Sequence, residues 1–248
     1  MSKKKDKKEK VLTEDLKEEE IEDDKAPKKS KKKVRVCITI LIVVVILAGL
    51  LYLAWTGGKE EPKVKKEVNV VDNLEEYGYT LSDNDTELFK EEFKKLKEIL
   101  NSEEVDYEEY SKQVAKLFTI DVYTMSNKIN IYDIGGAEYF YSEKRTMFEQ
   151  KLIDTLYSSI EDNTYGDREQ ELPEVKSITV DSIEKTTYEM KKVVDEKEIT
   201  TKVDGYKVKI SWDYVKDMGY DKEAEVIIVP DGNIRYSVVE FQTKLDKK

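Results

Sequence analysis

The sequence predicts an α+β protein on a membrane anchor: one N-terminal transmembrane helix, then three helices packed on a four-stranded antiparallel sheet. Three observations predict it. Val34 to Trp55 reads VRVCITILIVVVILAGLLYLAW, apolar but for Arg35 and Thr39, and ~20 such residues suffice to cross the hydrocarbon core as a helix. Three later stretches repeat apolar residues at helical spacing. Beyond Pro173 the apolar period falls to two, as in half-buried strands. Helices followed by a meander place the chain in the α+β class.

The balance of basic residues orients the span. Lys28, Lys29, Lys31, Lys32, Lys33 and Arg35 precede or open it, whereas Lys59, Lys63, Lys65 and Lys66 follow, fewer and farther out. The richer side belongs in the cytoplasm. The expected divisions are a charged cytoplasmic tail over residues 1–33, a span over 34–55, a charged linker over 56–72 and an extracytoplasmic domain over 73–248. Lys31, Lys32, Lys33 and Arg35 suit anionic headgroups at the inner face. Tyr52 and Trp55 suit the outer headgroup layer, where amphipathic rings collect. The alternative is a cleaved signal peptide, against which stand a run longer than the usual 7–15 residues and a tail long for an n-region. Cys37 opens the apolar run behind Arg35, so it reads as a small apolar residue of the span.

Charge divides along the same lines. The tail holds 13 lysines against 10 acids, and the part beyond the span 29 basic against 44 acidic residues. An acidic outer domain repels nucleic acid. The tail is too charged to bury a core, with a short amphipathic helix around Val11–Ile21 as an option. The chain has no histidine and one cysteine. That excludes serine or cysteine nucleophiles paired with histidine, cysteine zinc sites and an outer disulfide. No cofactor is expected.

Thr56 through Asp72 is polar and would reach ~25 Å if flexible, while Val70–Leu81 carries aromatics that pack on the domain. The first helix covers 85–100, with Leu88, Phe89, Phe93, Leu96, Ile99 and Leu100 on one face and Asp83, Asn84 or Asp85 as cap. The second covers 107–124 through Tyr107, Tyr110, Val114, Leu117, Phe118 and Val122. Asp106 is its cap, and Glu109 stands three on as in a capping box. The third covers 143–161, placing Met147, Phe148, Leu152, Leu156, Tyr157 and Ile160 together. Between the last two, Gly135-Gly136 marks a turn in a segment that is either a short helix or extended. Ile178, Val180 and Ile183 suggest a bulged strand. Tyr206, Val208, Ile210, Trp212 and Tyr214 alternate with polar residues. Ala224–Val229 and Ile234–Phe241 flank the turn Pro230-Asp231-Gly232-Asn233. The charged stretch KKVVDEKEITTKVDG reads as a connection at the rim.

Three helices followed by a curved four-stranded antiparallel sheet resemble the nuclear-transport-factor-2-like cone over Ser82 to Phe241, by element order. A basic tail, one span and an outer cone also resemble the bitopic scaffold subunit of type IV secretion and Gram-positive conjugation machines. DYEEYSKQVAKLF, DIGGAEYFYS and YGDREQELPEVKSITV are similar to membrane-anchored proteins of low-GC Gram-positive bacteria. The resemblance implies a non-catalytic assembly role and carries over no catalytic residue.

Asp121 continues the apolar face of the second helix, four residues after Leu117. A buried carboxylate there reads as a general base or ligand-orienting group, as in cone-fold isomerases with an Asp base, or as a cap on a neighbouring loop. Tyr123, Tyr139, Tyr141, Tyr188, Tyr206 and Tyr214 read either as hydroxyls lining a pocket or as core-edge residues with polar tips. Trp212 reads as a core anchor or as part of the same pocket. The acid-rich pieces at Asp83-Asn84-Asp85 and Asp162-Asn163 lack the ligand spacing of an EF-hand loop. Asp167, Arg168 and Glu169 mark either a recognition loop or a turn. The function expected is a non-enzymatic membrane-anchored interaction protein whose partners are the lipid bilayer and envelope proteins or a second copy. The alternative is a ligand-binding or sensing domain, and a third option is an isomerase with Asp121 as base.

Overall fold

The computed structural model describes residues 31–56, 63–194 and 197–243. It divides into two units, one up to Glu61 and one from Pro62 onward. Residues 1–30, including the option of a helix at Val11–Ile21, lie outside the described residues, as do the side chains of Lys31, Lys32, Lys33 and Trp55.

In the first unit, α1 spans Lys31–Thr56. Its stretch Arg35–Leu53 has a mean hydropathy of 3.1 over 19 residues. At 1.5 Å per residue that is about 28 Å, close to the ~30 Å hydrocarbon thickness. The large apolar side chains from Val36 to Leu53 are 49–71 % exposed on every face. A helix apolar all round has no face to give to water. The one internal hydroxyl, on Thr39, donates to the Arg35 carbonyl at 2.7 Å. Arg35 and Tyr52 stand exposed at the two ends of the apolar stretch.

The second unit starts before the expected boundary at residue 73. Strands β1 (Val70–Leu74) and β2 (Tyr79–Ser82) form an antiparallel hairpin. Ahead of it, the Lys66 N–H donates to the Thr164 carbonyl at 2.7 Å, and Lys63 meets Asp167 at 2.5 Å. So Lys63 and Lys66 are held against the 164–167 loop of the domain, and Asn69 is held by Asp83. Hydropathy hid this because β1 is held by backbone pairing while Val70 and Val71 remain exposed.

Helix α2 runs Glu87–Leu100 and α3 Tyr107–Tyr123. Thr86, rather than Asp83, Asn84 or Asp85, caps α2 by accepting from the Phe89 N–H at 3.3 Å. Asp85 instead accepts from the Ser82 N–H at 2.7 Å, closing the turn after β2. Asp106 caps α3 as expected, taking the N–H groups of Glu108 and Glu109. Tyr107 is 44 % exposed, lying against the Tyr236 ring at 5.0 Å rather than in the core. Helix α3 is buried almost all round, since α2 covers one side and the sheet the other. Between α2 and α3, Glu92 is buried and accepts from Gln113 at 2.6 Å, with Lys95 and Lys116 closing on its carboxylate.

The third helix is shorter than its pattern. A 3₁₀ turn over Ser142–Lys144 leads into α4, Arg145–Asp154. Thr155 Oγ1 bonds back to the Lys151 carbonyl at 2.5 Å and Ser158 Oγ to that of Thr155 at 2.7 Å, side-chain bonds that compete with the helical ladder. Tyr157 and Ile160 are buried beyond the helix, and Met147 is 69 % exposed.

The sheet has the order β3-β4-β5-β6, antiparallel throughout: Val175–Val194, Lys197–Tyr214, Glu223–Asp231 and Arg235–Thr243. The expected bulge lies between Val180 and Ser182. The charged stretch read as a connection instead prolongs β3 and β4 into a long hairpin arm. Glu189–Lys202 at 3.7 Å pairs charges directly across it and Lys191–Glu198 at 2.9 Å does so diagonally, the sheet counterpart of helix i,i+4 pairs. The arm departs from β5 at Gly205, where a Cβ would lie 2.2 Å from the Ile228 carbonyl oxygen. Past that point Tyr188, Met190 and Val203 gather with Tyr141, Val229 and Val239 in a second apolar cluster. The main core joins α2, α3, α4 and the inner sheet face.

Candidate functional site

Asp121 sits in the last turn of α3 and borders a polar cavity of about 350 Å³. Both carboxylate oxygens are engaged. Oδ1 receives the Lys128 ammonium at 2.5 Å and Oδ2 the Gly136 N–H at 2.6 Å. Lys128 is buried to 7 % side-chain exposure. Burial works against its charge, but the neighbouring Asp121 carboxylate, with Asp133 beyond it, outweighs that and holds its pKa above the ordinary lysine value. The double glycine makes the contact: a Cβ on Gly135 would lie 2.0 Å from the Asp121 carbonyl oxygen. The segment around it is helical in one short 3₁₀ turn, Ala137–Tyr139.

The same cavity is lined by Asp85, Asp133, Glu138, Arg145 and Glu149. Burial pushes the Glu138 carboxyl up to about 7, against the hydrogen bonds it accepts from Thr80, with the Asp121 charge adding to the rise. Burial likewise raises Asp85 to about 6, opposed by the Ser82 N–H. Among the described residues, no three acidic or cysteine side chains converge as a metal-holding group.

A second cavity, about 490 Å³ and mostly apolar, opens between α4 and the sheet. Its walls include Tyr123, Phe140, Phe148, Leu152, Val239 and Phe241, with Tyr188 and Lys144 beside them. Lys144 Nζ donates to the Tyr188 hydroxyl at 2.9 Å and lies 5.0 Å from the ring centroid. Volume and lining match small-molecule sites, which run ~300–1,000 Å³ and are apolar with a few placed polar groups.

The residues expected to share one pocket are thus divided. Asp121 borders the polar cavity, and Tyr123 and Tyr188 the apolar one. Tyr206 borders a third concavity, of about 450 Å³, with Asp204, Gly205 and Tyr236. Trp212 and Tyr214 are core residues. Trp212 packs on Tyr123 at 4.7 Å, and the Tyr214 hydroxyl donates to the Asp221 carbonyl at 2.7 Å. Arg168 belongs to a structural turn: its guanidinium donates to the carbonyls of Ser126, Lys128 and Glu161. Asp83 accepts twice from Asn69 across the base of the β1–β2 hairpin, and Asp162 accepts from Thr164 within a turn, so both carboxylates are spent on local structure. Sequence reasoning missed the cavity wall from α4. The i, i+4 spacing of Phe148 and Leu152 on one face of α4, with Lys144 at the cap position four residues ahead, was its signal.

No protein-family model, curated protein or solved structure matches the chain.

Proposed function

We propose that this is a single-pass membrane protein whose outer α+β domain acts by binding, as an interaction or scaffold module of a bacterial cell envelope. The observation that carries the reading is α1, a helix of membrane-spanning length with apolar side chains bare on every face and a folded domain on the same chain. The basic residues ahead of the span favour an inner N-terminus and an outer C-terminal domain. The engagement of both Asp121 oxygens by Lys128 and Gly136 favours a structural over a catalytic carboxylate. Three helices before an antiparallel sheet support a nuclear-transport-factor-2-like cone, and with it a place among secretion or conjugation scaffolds of Gram-positive type. Crosslinking in native membranes, followed by capture of the tagged full-length protein, tests this. Recovery of a second copy or of envelope subunits is expected, and monomer alone would overturn it.

A second reading is favoured by the apolar cavity between α4 and the sheet, whose size and lining suit a small ligand. In that reading the domain is a ligand-binding or sensing module.

A further inference from the structure

We propose that the cavity between α4 and the sheet binds a free single-chain amphiphile with a carboxylate head, the head seated on Lys144 and Tyr188. The proposal rests on the second reading above, that the cavity takes a ligand. The apolar body of the ligand would lie against Phe140, Phe148, Leu152 and Phe241, which make the wall mostly hydrocarbon and aromatic. A space of about 490 Å³ is in the lower half of the small-molecule range, which suits one chain rather than two.

The head is assigned by the chemistry of the pair. Lys144 is half-buried, and its hydrogen-bonding partner among the described residues is the neutral Tyr188 hydroxyl at 2.9 Å. That bond uses one of three ammonium protons. The Tyr188 oxygen accepts it, which leaves the phenolic proton to be donated elsewhere. Two donors, one charged, therefore meet at the same edge of an apolar space, the arrangement that binds an oxyanion by charge-assisted hydrogen bonds. Asp221 and Glu240 also border the cavity. Lys151 borders it as well, so two ammonium groups face two carboxylates on the lining, a balance that suits a monoanionic carboxylate better than a dianionic head such as a phosphate monoester. Tyr188 reaches this site because the hairpin arm gathers with Val229 and Val239, so the head-binding pair joins the start of α4 to β3.

The test is equilibrium binding of labelled dodecanoate and of neutral dodecanol to the full-length protein in nanodiscs, with empty discs as background. Saturable dodecanoate binding is expected, about tenfold or more tighter than dodecanol, a charge-assisted increment. Lys144→Met should erase that preference while leaving dodecanol binding in place. Tyr188→Phe should reduce it in part. Retained dodecanol binding also shows that each variant still has its cavity. Equal affinity for the two probes in the native protein would overturn the carboxylate assignment and leave the ligand-binding reading standing. Binding of neither probe above empty discs would overturn both.

Discussion

Lys128 reaches back seven residues to put its ammonium 2.5 Å from the Asp121 carboxylate, and the pair ties the end of α3 to the loop that follows it. A carboxylate on the apolar face of a helix invites a catalytic reading. Here its charge is matched by a buried cation and its second oxygen by the Gly136 N–H. Removing one partner strands the other charge in a poorly solvated place, which typically costs ~3–5 kcal/mol. Asp121→Asn and Lys128→Met should each destabilise the domain on that scale. The double variant should lose clearly less than the sum, as read from denaturant unfolding in a double-mutant cycle. Additive losses would mean that the two residues act separately.

Stability should fall as pH rises from about 5 to 8. Glu138 has its carboxyl pushed from 4.5 to about 7 and Asp85 from 3.8 to about 6, burial leading in both. The folded state therefore binds more protons than the unfolded chain between those values. A group of this kind stabilises fully below its unfolded pKa and loses that contribution as pH climbs through its folded pKa. For Glu138 the full swing is roughly 3 kcal/mol. Glu138→Gln should flatten the pH dependence of the melting temperature across this window and leave the variant the more stable at pH 8. An unchanged slope would place the titrating group elsewhere.

Gly135 meets the Asp121 carbonyl so closely that a methyl group has no room. Gly135→Ala should cost on the order of 2–3 kcal/mol or more, the scale of overpacking a tight interior. Gly205→Ala, against the Ile228 carbonyl, should cost a similar amount. It should also loosen the arm, visible as faster amide exchange at Met190 and Val203. Normal exchange there would separate the glycine from the course of the arm.

Arg168 serves three carbonyls on two different segments. Arg168→Ala should destabilise by about 1.5–3 kcal/mol, the range for hydrogen bonds to a charged group. Arg168→Lys should recover little, because a single ammonium cannot reproduce the guanidinium fork. Full rescue by lysine would show that charge alone matters.

The outer placement proposed for the α+β domain is open to a direct test. Protease added to intact cells should cut residues 63–243 and spare a tag at the N-terminus. Protection of the domain would reverse the orientation drawn from Lys31, Lys32, Lys33 and Arg35.

The elements that were legible depended on local period. The apolar run of α1, the faces of α2 and α3 and the alternation from Tyr206 to Tyr214 each lie within one element, so neighbouring residues suffice to read them. The elements that were misread owe their limits to distant partners or to polar side chains. Strand β1 was hidden because its pairing with β2, not apolar burial, holds it. Helix α4 looked longer because Tyr157 and Ile160 keep helical spacing while Thr155 and Ser158 turn their hydroxyls on the backbone. The arm of β3 and β4 read as a rim connection because its charges pair across strands, and one strand viewed alone shows only the charge.

The sequence by itself determined the apolar helix, the order of three helices before the four-stranded sheet, the cap at Asp106 and the chemistry that a chain without histidine forgoes. Tertiary structure alone decided which side chains share a cavity. It separated Asp121 from Tyr188, buried Trp212 against Tyr123, turned Arg168 onto carbonyls some 40 residues away, and brought Lys144 to Tyr188 across 44 residues of chain. The reason is physical. A helix or strand is specified by forces acting over a few residues, whereas a cavity is what remains between elements once they pack, and its lining is set by contacts that have no local period.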